Sequence, residues 1–344
     1  MLSEENNPEF EQPTPPASEP TNDWTENRIN LSKVQMAVQL VQDEIQKVVV
    51  GQDQTLELLL AALFVRGHVL LEGVPGIAKT LSAKLMAQTL AVDFSRIQFT
   101  PDLMPSDVVG TTVFNLQNSS FTFSKGPIFS NVVLIDEINR APAKTQAALF
   151  EVMEEYQVTI DGNTYPMEAP FFVIATQNPV EQEGTYNLPE AQLDRFLLKI
   201  KLDYPGLEEE KAILKRFRQD FNQQVQAEVK PVFSAEEIKE CQALIQQVRI
   251  KDELLDYIAA LVHETRNNGD LYLGASPRAS LAIMKMSKAI AGMRGRDFVT
   301  PDDIRTVAKP VLNHRIIPTP EREMEGVRTE DIIQEIIEKI DVPR

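Results

Sequence analysis

The sequence predicts an α/β domain built on a parallel sheet with helices on both faces, followed by an all-helical domain. Three observations lead there. Short β-rich runs at His68–Leu71, Arg96–Phe99, Val132–Ile135 and Phe171–Ala175, with a shorter one at Phe196–Lys199, alternate with helical segments. Strands separated by helices favour parallel pairing, because a parallel crossover needs a connection of helix length. After Asp203-Tyr204-Pro205-Gly206 the β signal stops and helical patterns take over. The length, 344 residues, suffices for two sizeable cores and few more.

In chain order, residues 1–30 carry seven acids against Arg28 alone, with prolines at 8, 13, 15, 16 and 20. Such a segment cannot bury enough apolar surface to offset its chain entropy and is expected to be disordered, as a solubilising or a partner-binding tail. From Leu31, Val34, Val38, Val41, Ile45 and Val48–Val50 give an amphipathic helix leading into Gly51, and Gln54–Val65 gives a second. The α/β domain is expected over 31–204 and the helical domain over 205–344, with helices near 207–222, 235–248, 252–267, 277–292 and 301–313. Ser234 with Glu237, and Thr300 with Pro301 and Asp303, form capping-box patterns. A last helix near 329–340 sets Ile332, Ile333, Ile336, Ile337 and Ile340 on one face, so it should dock. Two hairpins interrupt the α/β pattern. One lies in Asp107–Ser130, where Gly110–Leu116 and Ser120–Phe123 flank a polar turn. The other is Gln157–Met167, where Asp161-Gly162 sits between alternating residues.

Composition narrows the function classes. Lys and Arg number 34 against 51 Asp and Glu, a net charge of -17, and no basic footprint for nucleic acid is visible. Ten of those charges fall in 1–30 and 321–344, so the body of the chain is only mildly acidic and the local pattern decides more. From Glu151 to Pro170 there is no Lys or Arg, while Glu151, Glu154, Glu155, Asp161 and Glu168 are acidic. That hairpin would repel a phosphate backbone. A single cysteine, Cys241, excludes an intrachain disulfide and a cysteine metal cluster, and three scattered histidines (His68, His263, His314) speak against a histidine site. Apolar stretches such as Val132–Ile135 are far short of a membrane span, and the start lacks the features of a signal peptide. A soluble, cytoplasmic protein without membrane insertion is expected.

The chemistry begins at His68–Thr80, which reads as strand, glycine loop and helix. It matches the phosphate-binding pattern G-x-x-x-x-G-K-[ST] except for Ala78 in place of the second glycine. Gly73, Val74, Pro75, Gly76, Ile77 and Ala78 would wrap phosphates with backbone N–H groups, and the helix opening at Lys79, Thr80 and Leu81 would aim its N-terminus at them. Lys79 would reach the β- and γ-phosphates, and the Thr80 hydroxyl would ligate Mg²⁺. Val132-Val133-Leu134-Ile135-Asp136-Glu137 is an apolar strand ending in two carboxylates. Parallel strands present their C-terminal ends to the ligand crevice. There Asp136 would hold Mg²⁺ and Glu137 would polarise the attacking water. The chain is therefore expected to bind and hydrolyse a nucleoside triphosphate.

With these motifs in place, the sequence resembles the MoxR family of AAA+ ATPases. The family mark is Glu72-Gly73-Val74-Pro75-Gly76-Ile77-Ala78-Lys79-Thr80, in which the odd alanine is usual. Phe99–Asp107, Lys125–Phe129, Asp136–Ala141, Ala175–Pro179 and Leu188–Phe196 are also similar, and the two hairpins place the chain in the helix-2-insert group. The resemblance runs from about residue 33 to the C-terminus. It implies an AAA+ P-loop core with a C-terminal helical lid, ATP/ADP and Mg²⁺ as ligands, and the nucleotide lying between core and lid. Asn178 resembles sensor 1, which orients the water; an Asn-Pro turn opener is the plain alternative. Arg195 resembles an arginine finger acting on a neighbouring subunit; surface pairing with Asp194 or Glu190 is its alternative. Arg278, opening a lid helix, resembles sensor 2, which contacts the γ-phosphate, against an ordinary first-turn arginine. Val49-Val50-Gly51-Gln52 resembles the adenine-contacting segment, against a simple helix-to-helix turn. Arg140 either reaches an adjacent subunit or pairs with nearby acids.

The function implied by the resemblance is a ring-forming, hexameric ATPase that remodels, assembles or activates client proteins, often with von Willebrand factor A-domain partners. A nucleic-acid motor, a magnesium-chelatase-type subunit and a non-enzymatic ATP-gated scaffold are the competing readings.

Overall fold

The structure, a computed structural model, describes residues 28–74, 76, 79–116, 119–179, 184–216, 218 and 229–343. The acidic segment expected to be disordered lies, up to residue 27, outside the described residues. Helix α1 (Ser32–Gln46) buries Val34, Ala37, Val38, Val41 and Ile45, a stripe at three- and four-residue spacing. The chain turns through left-handed Gly51 and Gln52 into α2 (Asp53–Phe64), most of whose side chains are buried. Strand β1 (Val69–Gly73) leads through the glycine loop to α3 (Lys79–Thr89), followed by β2 (Leu90–Ala91), β3 (Phe94–Gln98) and α4 (Pro105–Val109). Next come the antiparallel pair β4 (Gly110–Asn115) and β5 (Ser120–Lys125), then β6 (Val132–Asp136) and α5 (Ala143–Glu155). A second antiparallel pair, β7 (Gln157–Ile160) and β8 (Asn163–Pro166), precedes β9 (Phe172–Gln177), α6 (Glu190–Leu193) and β10 (Leu198–Leu202).

The main sheet has the order β10-β1-β9-β6-β3, with every neighbouring pair parallel. Alternate residues of each strand enter different cores. Leu70, Val133, Ile135, Val173 and Ala175 pack with Leu149, Phe150 and Met153 of α5. Val69, Leu71, Val132, Leu134, Phe172 and Ile174 face the other way, toward α1, α2 and α3. Burial on both faces explains why these strands read as continuous apolar runs rather than alternations. Truncating Phe150 or Phe172, both fully buried, to alanine would cost roughly 3–5 kcal/mol. The strand expected from Phe196 starts two residues later, because Phe196 itself turns in to meet Phe150 edge-on at 5.7 Å.

Beyond β10 lie α7 (Leu207–Arg216), β11 (Phe233–Ser234), α8 (Ala235–Gln246), α9 (Asp252–Asn267), β12 (Leu271–Leu273), α10 (Pro277–Met293), α11 (Pro301–Leu312), β13 (Ile317–Pro318), α12 (Pro320–Met324) and α13 (Thr329–Lys339). The helix expected over 207–222 is described to Arg216, and most of the remainder lies outside the described residues. One expectation is corrected: the β signal does not stop at residue 206. Strand β11 pairs in parallel with β2, and β12 pairs antiparallel with β13. Runs of two or three residues are too short to show a period in sequence.

Both capping boxes form. The Ser234 N–H donates to Glu237 at 2.8 Å and the Thr300 N–H donates to Asp303 at 2.8 Å. Asp303 is also gripped by Arg296 through two hydrogen bonds, at 2.8 and 2.6 Å. The docking face of α13 buries Ile332, Ile333, Ile336 and Ile337 against α9 and α11. The helices do not build a separate core. Their apolar residues join α1, α2, α3 and one sheet face in one continuous cluster, with α10 lying on α2. Among the described residues, no helix is long and apolar enough to cross a membrane.

Candidate functional site

The C-terminal ends of β1, β6 and β9 lie side by side, and each ends in a group the sequence marked. Lys79, at the first position of α3, donates from Nζ to the Gly73 carbonyl at the end of β1 and to the Gln177 carbonyl at the end of β9, the latter at 3.2 Å. Of the loop before it, Gly73, Val74 and Gly76 are described, while Pro75, Ile77 and Ala78 lie outside the described residues. Gly76 has a φ of 87°, in the left-handed region where a side chain costs on the order of 1 kcal/mol.

Asp136 is buried, so its charge needs partners. Thr80 Oγ1 donates to its Oδ1 at 2.9 Å, Thr176 Oγ1 donates to the same oxygen at 3.2 Å, and Arg96 Nε donates to Oδ2 at 2.6 Å. Glu137 follows in the left-handed conformation, φ 57° and ψ 51°, which redirects its side chain out of the strand. Its N–H donates to Thr176 Oγ1 at 3.0 Å. Its Oε2 accepts from Gln98 at 3.0 Å and lies 3.0 Å from Arg140 Nε. Within its own chain Arg140 thus pairs with a nearby acid, Glu137.

Thr176, Gln98 and Arg96 escaped the sequence reading. Thr176 lies within the Ala175–Pro179 run; its hydroxyl donates to the Asp136 carboxylate and accepts the Glu137 N–H, tying both residues to β9. Asn178, just past β9, is buried beside the Gln177 carbonyl that Lys79 holds. Among the described residues no three His, Cys, Asp or Glu side chains cluster as a metal cage. The donors present, the Thr80 hydroxyl and one Asp136 carboxylate, suit a hard cation that keeps waters and binds phosphate as well, which is the habit of Mg²⁺.

A cavity of about 540 Å³ opens beside this cluster, between the α1–α2 connection, the end of β10 and the start of α7. Val49, Val50, Leu81, Tyr204 and Ile213 supply apolar walls. Gly51 suits this turn: its φ of 73° strains any other residue, and a Cβ there would displace the carboxylate of Glu209. That carboxylate accepts the Gly206 N–H at 2.8 Å at the start of α7. The Gln52 amide oxygen accepts from Ser82 of α3 at 2.7 Å, joining the turn to the helix that carries Lys79 and Thr80.

Arg195 and Arg278 are elsewhere. Both hold Glu154, at the end of α5: Arg195 Nη2 lies 3.0 Å from Oε2 and Arg278 Nη2 lies 2.5 Å from Oε1. They line a cavity of about 300 Å³ together with Arg66, His68 and Lys285. His68 immediately precedes β1, so this cavity is at the opposite end of that strand from the phosphate loop. Arg278 is therefore remote from the phosphate loop of its own chain. The helical half reaches the 540 Å³ cavity through α7, while the packing of α10 on α2 carries the first turn of α10 to the far end of the sheet. Nor does Arg195 pair with Asp194 or Glu190. Asp194 is engaged by Arg315 at 2.7 Å and by the Ser276 hydroxyl at 2.9 Å.

His68 is fully enclosed. Its Nδ1 accepts the Val173 N–H at 3.0 Å, which leaves Nε2–H to donate to the Met153 carbonyl at 3.2 Å. The ring is neutral in this arrangement, and burial pushes its pKa down to about 4.

Comparison with known proteins agrees with this geometry. Residues 68–198 match the model of the ATPase family associated with various cellular activities (AAA), and residues 263–336 match that of the AAA lid domain. The chain is 46% identical over 301 residues to the uncharacterized protein YeaC of Bacillus subtilis (strain 168), covering 88% of this chain and 93% of that one. It is 42% identical over 310 residues to the Chaperone MoxR1 of Mycobacterium tuberculosis (strain ATCC 25618 / H37Rv), covering 88% of this chain and 81% of that one. A crystal structure from Cytophaga hutchinsonii ATCC 33406 superposes with a TM-score of 0.83 at 45% identity, covering 91% of this chain and 97% of the other.

Proposed function

The chain belongs to the MoxR family of AAA+ ATPases, and on that premise we propose that it binds ATP with Mg²⁺ and hydrolyses it to ADP and phosphate to remodel, assemble or activate client proteins in the cytoplasm. One observation carries the reading: Lys79, Thr80, Asp136 and Glu137 converge at the C-terminal ends of β1 and β6, beside a cavity with apolar walls. The adenine would lie against Val50 and Gly51, and the phosphates against the loop from Gly73 to Thr80. Lys79 exchanges its two carbonyl partners for phosphate oxygens. Thr80 and Asp136 are the residues to hold Mg²⁺, which would neutralise charge on the phosphates. Glu137 accepts a proton from the attacking water, and Asn178 orients that water.

Arg195 and Arg278 sit at the wrong end of the sheet for their own nucleotide. They would complete the site of an adjoining copy, where a permanently charged guanidinium offsets developing phosphoryl charge. This makes a closed ring of copies the working assembly, and the family resemblance suggests six. A protein client is favoured over nucleic acid by the two hairpins. On β4–β5 and its turn, Leu116 is 84% exposed and Phe121 73% exposed, while β7–β8 presents Asp161 and no base. Such apolar tips suit unfolded or partly folded protein and offer little to a phosphate backbone. The relative named a chaperone supports the same choice, and von Willebrand factor A-domain proteins are the first clients to try.

The test is ATP turnover by the purified chain. Lys79→Ala should abolish turnover, and Glu137→Gln should bind ATP yet slow hydrolysis by about 10²–10⁴-fold. Wild-type turnover by Glu137→Gln would overturn the assignment of the base. Arg195→Ala mixed with Lys79→Ala should recover activity, since one copy supplies the intact pocket and the other the arginine edge. No recovery in demonstrated mixed assemblies would refute action between copies. Proteins retained by the Glu137→Gln form in the presence of ATP would identify the client.

A further inference from the structure

We propose that Glu154 is a positioning residue for the reaction, one that holds Arg195 and Arg278 as a preformed pair for the phosphates of an adjoining copy's nucleotide. The inference rests on the reading above that these arginines act between copies. A single carboxylate accepts from both guanidinium groups, one on each oxygen. Without it, two like charges from different elements, α10 and the segment after α6, would repel and take separate rotamers. Arg278 has a further reason to need an anion. It lies in the first turn of α10, where the helix dipole disfavours a cation.

The pair remains accessible: Arg278 is 51% exposed, Arg195 30% and Glu154 34%. Lys285, two turns along the same face of α10, lines the same cavity. Asp194, the other carboxylate there, is already engaged by Arg315. Glu154 therefore leaves a net positive, preassembled edge, with charge to spare for an incoming polyphosphate. A phosphate oxygen can take over the guanidinium N–H groups one at a time while the carboxylate keeps the others in line. Glu154 also lies in the last turn of α5, the helix that begins seven residues after the end of β6. The arginine edge is thereby anchored on the element next to Glu137 rather than on a loop.

The experiment is steady-state ATPase kinetics with mixed assemblies, using Glu154→Gln, which is isosteric, and Glu154→Asp, which keeps the charge on a shorter stem. Glu154→Gln should lower kcat about tenfold or more with KM for ATP within twofold of wild type, because its own nucleotide pocket is untouched. Glu154→Asp should recover part of the loss. Mixed with Lys79→Ala, Glu154→Gln should regain activity as Arg195→Ala does; mixed with Arg195→Ala, it should not, since both lack a working arginine edge. Wild-type kcat in Glu154→Gln, or a loss that Lys79→Ala copies fail to complement although they complement Arg195→Ala, would overturn the role of Glu154. If Arg195→Ala itself is not complemented, the reading of action between copies has failed instead.

Discussion

The two ends of the central sheet carry opposite chemistry. At the C-terminal ends of the strands, the carboxylates Asp136 and Glu137 are each held by a cation of the same chain, Arg96 and Arg140. At the other end, two arginines share one carboxylate and positive charge is in excess. On the function proposed above, the first end would receive polyphosphate and metal with its two arginines, Arg96 and Arg140, already committed to carboxylates. The second end would offer arginines to a phosphate its own chain cannot bring there, because a strand's length keeps the two ends apart. On that reading, the separation favours assembly of copies.

The comparison can be broken at its structural side first. If Asp194 and Arg315 hold the arginine edge in place while Arg195 and Arg278 perform its chemistry, then Asp194→Asn should be the most damaging change there. It leaves the Arg315 guanidinium, 3% exposed, bonded to four backbone carbonyls but without its anion, and should cost up to about 3 kcal/mol. Urea denaturation would show it as a lowered midpoint at unchanged slope. A loss below about 1 kcal/mol would show that the pair is not structural.

The next effect is that of pH. The imidazole of His68 is held near a pKa of about 4 by burial, and burial likewise pushes His314 well below its ordinary range. Unfolded chains take up these protons as pH falls below about 6.5 while folded chains refuse them, so stability present above pH 6.5 is lost on acidification. For His68 the loss reaches about 3 kcal/mol by pH 4. The carboxylates held below their usual range, such as Glu44, Glu237 and Asp331, act only at lower pH. Denaturation at pH 7.5 and 5.5 should therefore differ, and His68→Gln should shrink the difference to the part that His314 supplies. A flat wild-type profile over that window would contradict the neutral imidazole. The smallest change sharpens the phosphate end. Thr176→Val removes the hydroxyl linking Asp136 and Glu137, with about 1 kcal/mol lost from stability and turnover slowed about tenfold.

Much of the phosphate end was legible because its residues are close in sequence and constrained in type: Gly73 to Thr80 on one loop, Asp136 and Glu137 on one strand. Its supports were not. Gln98 and Arg96 reach Glu137 and Asp136 only through the β3–β6 register, which pairs Gln98 with Asp136, and register between distant strands leaves no local mark. Arg278 shows the same limit on a larger scale. Spacing shows that it opens a helix, but the end of the sheet which that helix meets is set by α10 packing on α2, more than 200 residues away in the chain. In sequence Glu154 is one acid of an acidic stretch, and its two arginine partners come from two other segments.

The continuous core that joins the helical half to one sheet face has a consequence for how the chain melts. Leu198 and Ile200 of β10 and Leu56, Leu59 and Leu63 of α2 share one cluster with Ile238, Ile283 and Val307. A chain cut after Leu202 would leave that surface facing water, so the halves are not separable modules. They should come apart in one cooperative step. A ligand bound at the phosphate loop would then stabilise the chain as far away as α13, and nucleotide, on the function proposed above, would raise the melting temperature of both halves together.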